Sequence, residues 1–367
     1  MKPIGLYLHI PFCVSKCPYC DFYSFAADEQ TMDAYTEALI RELRNWRERL
    51  CVTADTLYLG GGTPSLLGGR RLYRLVTAAR ELFGLDNAEI TLEVNPAERL
   101  EETFAAFAAA GGNRVSMGLQ AGDDRALAAL GRRHTVSQAE AACDAVRKAG
   151  IRRLSLDLML ALEGQSDRDV RHSVRVIDGL GATHGSAYLL KIEEGTPFAS
   201  RSLHLPDDDE AAERYLTAVD AFAERGFAQY EISNFAREGE QSRHNLKYWN
   251  ADPTLGIGAA AHSYVGGKRL AYPRDAAAFI RGNTPSEETD SAAVPAGSET
   301  EYAMLRLRLC EGLTEQGFAD RFGRAIPAEW RQRAAGLPAA YVTADEDGIR
   351  LTPQGFLVSN AIVSRIL

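Results

Sequence analysis

Nothing in the 367-residue chain approaches the ~20 consecutive apolar residues of a membrane span, which excludes a transmembrane helix. Positive charge is in deficit: 41 Lys and Arg stand against 50 Asp and Glu, for a net charge of −9. Such a surface repels phosphate backbones and excludes a general nucleic-acid binder. No motif recurs at a fixed period, so a solenoid is disfavoured. The opening Met1-Lys2-Pro3 runs straight into apolar Ile4–Leu8 without a signal-peptide cleavage pattern, and the expected address is the cytoplasm. Cysteine is scarce and uneven. Of six, Cys13, Cys17 and Cys20 fall within eight residues, while Cys51, Cys143 and Cys310 stand alone. In a cytosolic chain a clustered trio reads as metal or redox chemistry before disulfides.

What is present is an ordinary globular balance, 46% hydrophobic and 25% charged, at a length that suggests two or three domains. Short apolar runs at Gly5–Ile10, Thr56–Leu59, Glu89–Val94, Arg114–Gly118, Arg153–Met159 and Gly185–Leu190 are expected strands. Between them, helical patterning covers Asp33–Leu50, Arg70–Phe83, Glu101–Ala110, Ser137–Ala149, Asp167–Leu180 and Asp208–Arg225, with Gly111, Gly150 and Gly226 where helices should end. Strand and helix alternating six times predicts parallel strands with right-handed crossovers. An open doubly wound sheet and a full or partial (β/α) barrel both fit. Polar residues gather past the ends of many successive strands, which favours the barrel; a doubly wound sheet concentrates them at one switch point.

This α/β barrel domain is expected over residues 1–235, with a connecting region over 236–298 and a C-terminal domain over 299–367. Asn283–Ser298 is rich in Ser, Thr, Pro and Glu and reads as a linker or exposed loop. Beyond it, Glu301–Cys310 and Gly312–Phe322 predict helices. Tyr341–Thr343 and Ile349–Thr352 flank a hairpin turn, and Pro353–Leu367 predicts a closing helix. The order resembles a small α+β winged helix. With eight Arg, no Lys and nine Asp or Glu in residues 299–367, it is a packing or partner-facing module rather than a DNA reader.

The run His9-Ile10-Pro11-Phe12-Cys13-Val14-Ser15-Lys16-Cys17-Pro18-Tyr19-Cys20 has Cys-x₃-Cys-x₂-Cys spacing. Three thiolates on one tight loop can hold three irons of a [4Fe–4S] cluster. A ferredoxin closes the fourth iron with a further Cys, and none follows here. The open iron can chelate the amino and carboxylate groups of S-adenosylmethionine, whose reductive cleavage yields a radical. The competing reading is a structural zinc on the three thiolates with His9 or Asp21. The spacing, with an aromatic just before the third Cys, resembles the radical S-adenosylmethionine superfamily.

Gly60-Gly61-Gly62-Thr63-Pro64 follows the second strand, and on its own reads as a tight turn. The resemblance implies that this backbone meets the methionine amino group, with the Thr63 hydroxyl nearby. Glu93, Gln120 and Asp157 end consecutive strands and Arg132 lies on a loop. An Arg fork suits the cofactor's carboxylate, and Gln120 and Asp157 suit its ribose hydroxyls. Glu93 joins the pocket in an unassigned role. Tyr7 and His9 alternate on the first strand and share a face; if it points inward, Tyr7 reaches the cofactor and His9 sits over the cluster.

The segments LYLHIPFCVSKCPYCDF, YLGGGTPS, EVNP, GLQ and GRRH together resemble the subfamily of oxygen-independent coproporphyrinogen III oxidase and the HemW family of haem chaperones. Three details favour the chaperones. The oxidase carries a fourth Cys where this chain has Phe22, and an N-terminal extension before the first strand. YEISNFA (Tyr230–Ala236) followed by His244-Asn245-Leu246-Lys247-Tyr248-Trp249 matches the chaperones' HNxxYW signature. A neutral imidazole is a good axial ligand for haem iron, and Tyr248 and Trp249 offer flat apolar surface, so His244 is the expected haem ligand and His262 its rival. The alternative is a helix-start His with two core aromatics. The resemblance implies a protein that binds haem and delivers it to acceptor haemoproteins, with the cluster and S-adenosylmethionine structural or regulatory. A radical decarboxylase of coproporphyrinogen and a zinc-stabilised binding protein are the alternatives. A homodimer is an option the residues do not decide. One departure stands out. After Asp157 the family reads Gly-Leu-Pro before Gln, whereas this chain has Ala161-Leu162-Glu163-Gly164-Gln165.

Overall fold

A computed structural model of the chain describes residues 2–96, 100–288 and 294–367. The first half alternates as expected. The order is β1 (Ile4–Ile10), α1 (Glu29–Arg49), β2 (Ala54–Gly61), α2 (Gly68–Phe83), β3 (Glu89–Val94), α3 (Glu101–Ala109), β4 (Arg114–Gln120), α4 (Asp124–Ala129), α5 (Val136–Lys148), β5 (Arg153–Leu160), α6 (Asp167–Gly179), β6 (His184–Leu189) and α7 (Asp208–Ala223). Helix starts are fixed by side chains that accept from otherwise unpaired backbone N–H groups: Asp28 caps α1, and Thr135, Ser166 and Asp207 form capping boxes at α5, α6 and α7.

The six strands lie side by side in chain order and pair in parallel, which decides between the two expected architectures. A doubly wound sheet would reverse its order at a switch point. The sheet does not close. Beyond β6 it continues antiparallel through β8 (Asn234–Ala236) to β7 (Ala228–Gln229). Beyond β1 it continues through β9 (Thr254–Ile257), parallel to β1, then antiparallel β10 (His262–Val265), β11 (Lys268–Ala271) and β12 (Ser286–Glu287). The result is a partial barrel with two antiparallel wings.

The strands alternate in chemistry. Leu6, Leu8, Leu57, Leu59, Leu92, Val115, Met117, Leu156 and Leu158 are fully buried in the layer shared with the helices. The opposite rows are polar and line the lumen: Tyr58 on β2, Glu93 on β3, Arg114 and Ser116 on β4, Ser155 and Asp157 on β5, His184 and Ser186 on β6. A closed barrel of this family of architectures fills its interior with packed side chains. Here the interior is a cavity.

Residues 236–298 do more than connect. Besides β9–β12 they supply α8 (Arg243–Trp249) and α9 (Ala276–Arg281). Helix α8 sits under the N-terminal ends of β2 and β3, where Glu89 accepts from the backbone N–H groups of Arg243 and His244. Residues 289–293 of the expected linker lie outside the described residues.

The C-terminal region contains α10 (Glu299–Arg306), β13 (Leu313–Thr314), α11 (Glu315–Phe322), α12 (Ala328–Ala335), β14 (Val342–Asp345), β15 (Gly348–Leu351), α13 (Pro353–Leu357) and α14 (Ser359–Ile366), with a three-stranded sheet in the order β13-β15-β14. The hairpin falls at Asp345–Gly348 as expected. The second helix starts later than Gly312, because Leu313 and Thr314 pair with β15 and the Thr314 hydroxyl caps α11. This region docks through backbone bonds, Ile232 N–H to Arg308 and Cys310 N–H to Tyr230. No helix among the described residues is long and apolar enough to cross a membrane.

Candidate functional site

A cavity of about 370 Å³ opens at the C-terminal strand ends and runs down the lumen. Cys13, Cys17 and Cys20 line its mouth on the loop after β1. That loop is folded by its own backbone: Cys13 N–H donates to Phe25, Cys20 N–H to Cys17, and the Phe12 and Phe25 rings meet edge to face. All six cysteines are free, and the three on the loop are half-buried. Burial pushes the Cys20 thiol up. Among the described residues no three His, Cys, Asp or Glu side chains stand close enough to share one ion. A cubane takes each thiolate on a separate iron, so the donor set fits the cluster better than zinc. His9 is spoken for, with its Nδ1 2.9 Å from Tyr7 Oη and its Nε2 3.3 Å from the Tyr23 carbonyl.

The glycine turn is required by close packing. A side chain at Gly62 would strike the Phe12 backbone, and at Gly61, with φ of +117°, the His9 ring. Both glycines line the cavity. Thr63 instead faces a neighbouring cavity of about 430 Å³, while its hydroxyl lies 3.5 Å from Cys13 Sγ and accepts from Asn95 Nδ2 at 2.7 Å.

Glu93 accepts from Tyr58 Oη at 2.8 Å and from Gly61 N–H at 2.9 Å, yet burial raises its carboxyl to about 7. Burial likewise raises Asp157 to about 6, although the Ser186 hydroxyl opposite it on β6 favours the ionised form. Two carboxyls poised near neutrality in one cavity suit a cationic ligand, which would draw both into the ionised form. Gln120 holds φ of +72°, a left-handed conformation that a non-glycine residue adopts at a cost. It turns the end of β4 into the cavity.

Arg132 reaches across from its loop. Its Nη2 donates to Asn95 Oδ1 at 2.6 Å and to the Gly118 carbonyl at 2.9 Å. Its Nη1 lies 3.4 Å from Cys17 Sγ and 3.3 Å from Tyr19 Oη. Its Nε is buried and has no partner among the described residues. A guanidinium held rigidly beside the cluster loop, with a donor to spare, fits the carboxylate of S-adenosylmethionine.

Two further expected site residues lie elsewhere. Tyr7 faces inward but does not line the cavity; its hydroxyl is committed to His9. His244 is 1% exposed, with Nδ1 2.8 Å from Thr56 Oγ1 and Nε2 3.0 Å from Tyr248 Oη. Its ring stacks on Tyr58 at 5.1 Å, and burial lowers its pKa to about 3. Both nitrogens are used, so the geometry is that of a satisfied core histidine, and haem ligation would require α8 to leave the barrel floor. His262 is exposed at the edge of the wing, 3.0 Å from Glu288.

The departing loop shows its own signature. Ala161 holds φ of +57°, where a glycine would sit without strain. Leu162 joins Leu130, Met159 and Phe198 in a small separate apolar cluster, and Glu163 accepts from His204 N–H at 3.0 Å. Sequence reasoning passed over Tyr58, Asn95, Arg114, Ser116 and Asn245. Asn95 was visible in the EVNP motif and Asn245 in HNxxYW; Tyr58, Arg114 and Ser116 carry no spacing signal, because each is a single polar residue within a strand.

The comparisons agree with this geometry. Residues 7–177 match the Radical SAM superfamily and residues 300–358 the HemN C-terminal domain. The coproporphyrinogen III oxidase HemN of Escherichia coli, a radical SAM enzyme, superposes with a TM-score of 0.82 over 99% of this chain and 90% of that chain, at 21% identity. An open parallel barrel with three thiols after its first strand, followed by this C-terminal domain, defines a radical SAM-type protein. Among curated proteins, the haem chaperone HemW of Mycobacterium tuberculosis is 37% identical, covering 100% of this chain and 95% of its own length. HemW of Escherichia coli is 34% identical over 100% and 99%, and that of Bacillus subtilis 32% over 98% of each. The chain belongs to the HemW family. Its likeness to the oxidase structure is one of fold.

Proposed function

We propose that this chain binds haem at the mouth of the barrel cavity and hands it to acceptor haemoproteins. In this reading a [4Fe–4S] cluster rests on Cys13, Cys17 and Cys20. S-adenosylmethionine rests between Gly61, Gly62, Glu93, Gln120, Arg132 and Asp157, and these groups supply one-electron chemistry when bound. The observation that carries the haem site is apolar surface at the rim. Phe22 is 63% exposed and Tyr188 43%, both lining the cavity, with Val14 on the same cysteine loop at 60%. Large apolar side chains held in water beside a cavity mark a binding surface. Two aromatic faces suit a planar porphyrin, and exposed Lys16, also at the rim, suits a propionate. Phe22 stands where the oxidase resemblance calls for a further Cys. His244 then serves the floor of the barrel. The free thiols support the cytoplasm as the working compartment.

The test is haem titration of the anaerobically reconstituted chain followed by absorbance. Phe22→Ala with Tyr188→Ala should weaken haem binding at least tenfold, and His262→Ala should leave it unchanged. Full affinity in the double variant would remove the mouth as the haem site.

A further inference from the structure

Beneath the proposed cofactor site the lumen ends in a group of polar side chains with no side-chain hydrogen bond among the described residues. Arg114 opens β4, is 2% exposed and lines the cavity. Among the described residues its guanidinium has neither a hydrogen-bond acceptor nor an ion-pair partner. Glu93 and Asp157, on the flanking strands, feel its charge without pairing to it. Thr91 stands opposite Arg114 in the β3–β4 register, and its hydroxyl is a buried orphan. Ser116, one inward position further along β4, is 8% exposed, lines the cavity and has no side-chain partner among the described residues. Asn245 of α8 closes the floor of the same cavity, its side chain likewise unpaired among the described residues.

A buried guanidinium is costly to leave without a hydrogen-bonded acceptor. Arg114, Ser116 and Asn245 line one polar space. A planar fork with hydroxyl and amide donors beside it matches a carboxylate. We propose that Arg114, Ser116 and Asn245 form a subsite for a small free carboxylate at the floor of the lumen, below the S-adenosylmethionine site. The site gives the Asn of the HNxxYW motif a ligand, while His244 holds the helix that carries it. Depth argues against a haem side chain as the source of that carboxylate. Arg114 and Gly118, the latter beside the cluster loop, are ~13 Å apart along β4 at about 3.3 Å per residue. A propionate on a disc lying across the mouth does not span that distance.

The experiment is thermal unfolding of the full-length reconstituted chain, with S-adenosylmethionine present, titrated with sodium propionate against sodium chloride at matched ionic strength. Propionate should raise the melting temperature saturably and chloride should not. Arg114→Met should fold, melt no lower than the parent in the absence of propionate, and bind propionate at least tenfold more weakly. Ser116→Ala should weaken it less. Haem affinity should be unchanged in Arg114→Met. Equal stabilisation by chloride, undiminished propionate binding in Arg114→Met, or failure of that variant to fold would each overturn the subsite. Loss of haem affinity in Arg114→Met would assign the charge to a haem propionate and overturn the free carboxylate.

Discussion

His244→Ala separates a structural histidine from a haem ligand, and its cost can be worked from the contacts. Removing the imidazole strips Thr56 Oγ1 of a partner, and Thr56 is fully buried, so an unsatisfied hydroxyl costs about 1–3 kcal/mol. The stack on Tyr58 contributes about 0.5–1.5 kcal/mol. The vacated volume adds about 2 kcal/mol, towards the low end of large-to-small core substitutions because imidazole is smaller than phenyl. Tyr248 Oη, on a ring 41% exposed, can turn to water and adds little. The sum is roughly 3.5–6.5 kcal/mol, a large share of the ~5–15 kcal/mol that stabilises a typical domain. A second signature is pH. Burial holds His244 neutral to about 3, below its ordinary 6.5. The unfolded chain therefore takes up the proton first, and this residue's contribution is lost as pH falls from 6.5 towards 3. Urea unfolding of haem-free protein measures both effects as parent minus variant. Stability within about 1 kcal/mol of the parent, with haem binding abolished, would refute the structural assignment.

Cys20→Ala should prevent reconstitution of the [4Fe–4S] cluster while Cys143→Ser spares it, since Cys143 is buried in the core on α5; iron content and Mössbauer spectra report this. Affinity for S-adenosylmethionine should fall as pH drops below about 7, because Glu93 must ionise to meet a cation and burial has raised its carboxyl to about 7. Calorimetry should show roughly a tenfold loss per pH unit in that window and a flatter profile in Glu93→Gln. The same raised carboxyl makes Glu93's own contribution to unliganded stability decline as pH rises from about 4.5 to 7. Ala161→Gly should relieve a left-handed alanine worth about 1–2 kcal/mol against a glycine entropy cost of about 0.5–1 kcal/mol, for a small net gain in melting temperature. A lower melting temperature would show that the Ala161 methyl packs more than its backbone suffers.

The barrel was legible because its signal is local. Apolar runs of about four to seven residues alternate with long amphipathic stretches, and polar residues collect past the strand ends. The cysteine loop, Arg132, Gln120 and Asp157 were legible because each ends a strand or follows a glycine turn. The wings were not. Strands β9–β12 are two to four residues long, too short to show a period, and they join the sheet only because β9 pairs with distant β1 while β10–β12 pair with their chain neighbours. Nor could the sequence say which way α8 faces. His244 and Tyr248 are one helical turn apart, a spacing that serves a porphyrin or a self-contained hydrogen bond equally well. Only Thr56 and Glu89, from strands nearly 200 and 155 residues upstream, show that the helix is used as a floor.

The most direct test of the chaperone reading is haem transfer. Reconstituted protein loaded with one equivalent of haem should be mixed anaerobically with an apo-haemoprotein and followed by absorbance at the acceptor's Soret maximum. The acceptor should fill stoichiometrically at the donor's expense, and coproporphyrinogen III given to the same protein with S-adenosylmethionine and a reductant should be recovered unchanged. Failure to bind haem stoichiometrically, or steady conversion of coproporphyrinogen to protoporphyrinogen, would contradict the chaperone reading.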